Sequence, residues 1–63
     1  MSDKPTVKLI GEDGNAFFVL GRCRKAARVA GWTDERIDAV TKRMQGGDYS
    51  NLLRVALEEF EVT

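Results

Sequence analysis

Residues 15–31 read N-A-F-F-V-L-G-R-C-R-K-A-A-R-V-A-G. The folding of this stretch decides the architecture, because it admits two readings. At 100° per residue, Ala16, Val19, Leu20, Cys23, Ala26, Ala27 and Ala30 fall on one face, as an amphipathic helix requires. Asn15 is a preferred N-cap residue and Gly31 a preferred stop. The preferred reading is therefore a helix from Asn15. The alternative takes Asp13-Gly14 as a hairpin turn, makes residues 16–20 a returning strand, and shortens the helix. The apolar stripe is built mainly of Ala and Cys, which lets a neighbouring backbone approach closely and makes this element the packing centre. Phe17 and Phe18 lie off the stripe, one capping the core from the side and the other partly exposed.

Upstream, residues 1–5 are polar, end in Pro5 and read as a loose start. Thr6-Val7-Lys8-Leu9-Ile10 is β-branched and alternates through Val7 and Leu9, which predicts an edge or two-sided strand. Residues 11–15 carry turn chemistry. Downstream, Thr33 caps a second helix whose first turn holds Asp34 and Glu35, favourable to the helix dipole. Its narrow apolar face is Ile37, Val40, Thr41 and Met44, and Gln45-Gly46-Gly47 ends it. Asp48 or Ser50 caps a third helix with Tyr49, Leu52, Leu53, Ala56, Leu57 and Phe60 toward the core. Phe60-Glu61-Val62-Thr63 alternates like a short strand, which cannot stand alone. Pairing it with Val7–Ile10 gives a small α+β domain of order β-α-α-α-β. Its three helices pack on a two-stranded sheet formed by the N- and C-terminal segments. The alternative architecture is a three-helix domain with frayed ends.

The chain of 63 residues is one small domain, in the size range where folding is marginal without well-packed elements or a partner that hides more surface. An apolar fraction of 43% with no net charge excludes the composition of a disordered chain. The single cysteine, Cys23, excludes an internal disulfide, which a secreted domain this small would normally use. No apolar run approaches the roughly 20 residues of a membrane span, and the first residues lack the pattern of a signal peptide. A soluble cytoplasmic protein with no membrane contact is expected.

The charge is neutral in sum but uneven. Residues 21–43 hold seven basic side chains against three acidic, whereas residues 48–63 hold four acidic against one basic. Arg24 and Arg28 are four apart and share a helix face. Arg22 and Lys25 lie on the adjoining flank beside Phe18 and Val29, and Lys42 and Arg43 add charge on the second helix. Arginine pairs bidentately with phosphate or carboxylate. The cluster is either a docking surface for nucleic acid or an acidic partner, or a solvated face answered by Glu58, Glu59 and Glu61. Zero net charge weighs against a dedicated DNA binder. Trp32, Tyr49 and one of Phe17 or Phe18 are either candidate anchors, because aromatics and arginine dominate binding hot spots, or simply core residues. The candidate partner-binding residues are thus Arg22, Arg24, Lys25, Arg28, Lys42, Arg43, Phe18 and Trp32.

Catalysis is not expected. The chain has no histidine, so the usual general base and commonest metal ligand are missing. Cys23 lies on the small-residue stripe, where a thiol is inert. Asp48, Glu58, Glu59 and Glu61 follow no calcium-loop pattern, and neither Gly11-x-x-Gly14 nor Gly46-Gly47 matches a phosphate-cradling motif. No cofactor, metal or small-molecule substrate is indicated. The expected partner is a protein or a second copy of the chain, with nucleic acid as the alternative.

The opening V-K-L-I-G-E-D-G-N-A-F, the basic helix and the later G-G-D-Y-S-N-L-L resemble a group of small bacterial and phage-borne proteins without a known activity. The resemblance spans residues 7–63. It implies a bacterial or mobile-element origin and carries over no functional residue.

Overall fold

The computed structural model describes residues 4–11 and 14–63. Their order is β1 (Thr6–Val7), α1 (Ala16–Val29), α2 (Asp34–Gln45), α3 (Tyr49–Glu59) and β2 (Glu61–Val62). The two strands form a two-stranded sheet and run parallel, with Thr6 opposite Glu61 and Val7 opposite Val62. Parallel neighbours need a long crossover, and here all three helices supply it. The domain is α+β, as the terminal-strand pairing anticipates.

Residues 15–31 form the helix, not the hairpin. The Asn15 side chain accepts a hydrogen bond from the Phe17 backbone N–H at 2.9 Å. At the other end Gly31 takes a left-handed φ of +86°. Its N–H donates to Arg28 C=O and the Trp32 N–H to Ala27 C=O, both at 3.0 Å. This paired closure satisfies carbonyls that a helix end otherwise leaves open, and only glycine enters it without strain. α2 starts on Thr33, whose hydroxyl accepts from Arg36 N–H at 3.2 Å. α3 starts on Asp48 rather than Ser50, with the Asp48 carboxylate accepting from Asn51 N–H at 2.9 Å.

The core joins Val7, Val19, Leu20, Cys23, Ala27, Ile37, Val40, Met44, Leu52, Val55, Ala56 and Phe60. All four residues of the expected α2 face are buried. Thr41 is tolerated among them because its hydroxyl donates to Ile37 C=O at 2.7 Å. On α1, Ala30 departs from the expected stripe: it is the C-cap and is exposed.

Two further expectations are corrected. β1 ends at Val7 rather than Ile10. Beyond it, the N–H groups of Leu9 and Ile10 both donate to Thr63 C=O, at 2.8 and 2.9 Å. Two amides converging on one carbonyl stop the ladder from advancing, and Ile10 turns outward, 71% exposed. On α3, Tyr49 and Leu57 stand in solvent, while Val55 is buried at 2% exposure. The helix is rolled about its axis toward α2, its main packing partner.

The loose start expected over residues 1–5 falls at residues 1–3 outside the described residues, as do Glu12 and Asp13 of the turn. Of the two described, Pro5 C=O accepts from Glu61 N–H at 2.8 Å, and Lys4 Nζ donates to Leu57 C=O at 3.4 Å.

Candidate functional site

The basic cluster is divided by the fold. Arg43 extends from α2 to α3, where its guanidinium donates to Glu58 at 2.7 Å and to Glu59 at 3.2 Å. The Glu58 hydrogen bond first, and then that to Glu59, holds the Arg43 pKa above its ordinary value. Arg36 approaches Glu59 at 4.0 Å. The acids of α3 therefore answer the arginines of α2, not those of α1. Arg24 leans toward Asp38 of α2 at 4.0 Å. Lys25, Arg28 and Lys42 make no ion pair among the described residues.

The aromatic candidates are also placed. Phe18 is half-buried, with the Arg22 guanidinium 4.9 Å above its ring. Trp32 is half-buried and stacked on Phe60, and Arg36 sits 3.9 Å from its ring centre. Arg36 is itself exposed, so this cation–π contact is of the weaker, solvated kind. Trp32 thus closes the edge of the core, and Phe17 is the exposed phenylalanine, 82% accessible.

Two surface hollows stand out. The first, of about 330 Å³, runs between β1 and α1 and is lined by Thr6, Val7, Lys8, Arg22, Lys25 and Val29 among others. It gathers Arg22 and Lys25 of the sequence cluster and adds Lys8 from the strand. Arg24, Arg28, Lys42 and Arg43 do not line it. Lys8 is legible in the sequence only once β1 is placed beside α1.

The second hollow, of about 280 Å³, is apolar, with Leu9, Ile10, Tyr49, Leu53, Leu57 and Val62 among its walls. Tyr49 also lines the neighbouring hollow beside Phe17. Ile10, Tyr49, Leu57 and Phe17 therefore edge an exposed apolar strip that joins the two hollows through Tyr49, with Gln45 and Asp48 also lining the one beside Phe17. Periodicity placed both Tyr49 and Leu57 toward the core, and of the two the sequence named only Tyr49 also as a candidate anchor; the surplus of apolar residues on α3 over what one face can bury is the signal that could have found the strip.

Cys23 is 1% exposed, and burial pushes its thiol up to about 11. The nucleophilic form is the thiolate, so this site is chemically quiet. Among the described residues, no group of three or more His, Cys, Asp or Glu side chains is placed to hold a metal ion. None of the described helices is long and apolar enough to cross a membrane. In comparisons with protein-family models, curated proteins and solved structures, nothing matches this chain.

Proposed function

We propose that this chain is a non-catalytic protein-interaction module of the cytoplasm. The observation that carries this reading is the apolar strip of Ile10, Tyr49, Leu57 and Phe17. A domain with so few residues to bury leaves large apolar side chains in water at adjoining hollows. Contiguous exposed apolar surface of this kind marks interaction sites. The buried thiol and the lack of any histidine add support against a hydrolytic or redox role. The resemblance to small bacterial and phage-borne proteins makes a mobile-element setting part of the proposal, which the gene neighbourhood tests.

The test combines light scattering over a concentration series with capture of partners from a lysate of the source organism. Wild-type protein self-associates or retains a defined protein. Leu57→Glu, at an exposed position, abolishes this while the circular dichroism spectrum is unchanged. A strict monomer that retains nothing counts against the reading.

A second reading is nucleic-acid binding through Arg22, Arg24, Lys25, Arg28, Lys42 and Arg43. It is favoured by the lack of ion pairs at Lys25, Arg28 and Lys42 among the described residues. It predicts a complex that weakens steeply with salt and with charge removal at Arg24 and Arg28. No mobility shift with DNA or RNA at low salt rules it out.

A further inference from the structure

We propose that the groove between β1 and α1 binds an extended peptide of alternating acidic and apolar residues, which adds to the sheet along the free edge of β1. This inference rests on the interaction-module reading and names a second surface and its partner chemistry.

The free edge follows from the ladder. Pro5 C=O, Val7 C=O and Leu9 N–H all bond toward β2, through Glu61 and Thr63. Backbone groups of alternate residues in an extended strand point to opposite edges. The N–H and C=O of Thr6 and Lys8 therefore face away from β2. Among the described residues the sheet has two strands, and no third strand receives them. Both residues are exposed. An unpaired edge is a template for another strand, and strand addition beside a helix is an established mode of peptide capture.

The walls choose the occupant. Val29 of α1 lies in this groove and is 81% exposed, beside the half-buried Ala26. An added strand covers these residues with alternate side chains. Val7 points into the core, so by alternation Lys8 points to the outer face of the sheet. There it meets the other set of side chains on the added strand. Arg22 and Lys25 line the groove from α1. Among the described residues, no carboxylate lines it. Apolar residues facing α1 and acids facing Lys8 give the alternating pattern, because opposite charges directly across a strand pair are favourable.

A second copy of the chain fits this edge poorly. Pairing β1 with its own copy brings Lys8 and Lys25 against like charges, which is unfavourable. Pairing it with the β2 edge of a second copy is head-to-tail, which leaves a free edge at each end unless a ring closes. Nucleic acid has no strand edge to offer Thr6 and Lys8.

The experiment is an amide NMR titration of the full chain with capped E-V-E-V-E-V. Controls are K-V-K-V-K-V, the two forms of the acidic peptide N-methylated at one or the other set of alternate residues, and oligodeoxythymidylate. The acidic peptide is expected to shift and protect the Thr6 and Lys8 amides and to shift Val29. One methylated form is expected to lose binding, and the lysine peptide not to bind. Lys8→Glu, at an exposed position, should weaken binding roughly threefold and shift the preference toward the lysine peptide. Four outcomes overturn the proposal: no binding of the acidic peptide at millimolar concentration; shifts confined to Ile10, Tyr49 and Leu57; equal binding of both methylated forms; or displacement of these amides by oligodeoxythymidylate alone. Loss of the peptide site with Leu57-dependent association intact removes only this inference. A strict monomer that captures no protein and binds no peptide removes the module reading as well.

Discussion

The indole of Trp32 stacks on the ring of Phe60, with centroids 5.1 Å apart and planes 27° from parallel. The pair ties the residue just beyond α1 to the residue that ends α3 and opens β2. Phe60 is 2% exposed. Phe60→Ala is expected to cost about 3–5 kcal/mol, most of what a domain this small possesses at roughly 0.05–0.15 kcal/mol per residue. Urea unfolding followed by the fluorescence of Trp32, the sole tryptophan, should show the variant largely unfolded without urea. Phe60→Leu keeps the volume partly filled and should remain folded with a lower midpoint.

The buried thiol makes stability fall in alkali. In the folded chain Cys23 is raised from 9.0 to about 11 by burial. The unfolded thiol ionises first, so its contribution is complete below pH 9 and is lost as pH rises toward 11. The loss is on the order of 2 kcal/mol. Unfolding midpoints measured at pH 8, 9.5 and 11 should fall less steeply in Cys23→Ala than in wild type. A disulfide reagent at pH 8 should modify Cys23 slowly in native protein and rapidly in urea.

Glycine positions divide by geometry. Gly21 lies inside α1 with open space around a built Cβ, so Gly21→Ala should stabilise by about 0.5–1 kcal/mol. Gly31 sits at φ +86°, so Gly31→Ala should destabilise by about 1 kcal/mol. At Gly47 a Cβ would meet the Asn51 side chain at 3.0 Å. Asn51 cannot give way cheaply, because its amide donates to Arg43 C=O at 2.8 Å and accepts from Arg54 at 2.8 Å. Gly47→Ala should cost about 1–3 kcal/mol. Thermal midpoints order the three variants.

The Arg43 contacts to Glu58 and Glu59 lie in solvent, and exposed pairs contribute little. Glu58→Gln with Glu59→Gln should lower the thermal midpoint slightly at low salt, with the difference vanishing in 1 M salt. The same variant uncovers Arg43. If the basic residues bind nucleic acid, its affinity should rise.

Local chemistry made the helices legible. Asn15, Thr33 and Asp48 each cap the helix that follows, and Gly31 ends α1, because caps and stops act through bonds within a few residues. The four-residue face of α2 was equally readable, since its apolar positions leave no other face to bury. The strand pairing was legible in outline, because a short strand cannot stand alone and residues 6–10 and 60–63 both alternate as strands do. The candidate site was less so. Arg22 and Lys25 were singled out by charge, but Lys8, Thr6 and the apolar strip entered only with the fold.

The sequence by itself determined the three helical segments, the caps Asn15 and Thr33 and the buried place of Cys23, and left open a strand over residues 16–20 and Ser50 as the third cap. Each follows from side-chain type and spacing along one segment. Tertiary structure decided the parallel sense of the strands, the roll of α3 that buries Val55 and exposes Tyr49 and Leu57, and the pairing of the α3 acids with Arg43. These depend on how separate segments share one small core. Burying Met44, Val55 and Phe60 together sets the rotation of α3, and that rotation carries Glu58 and Glu59 to α2 and away from the groove beside Lys25.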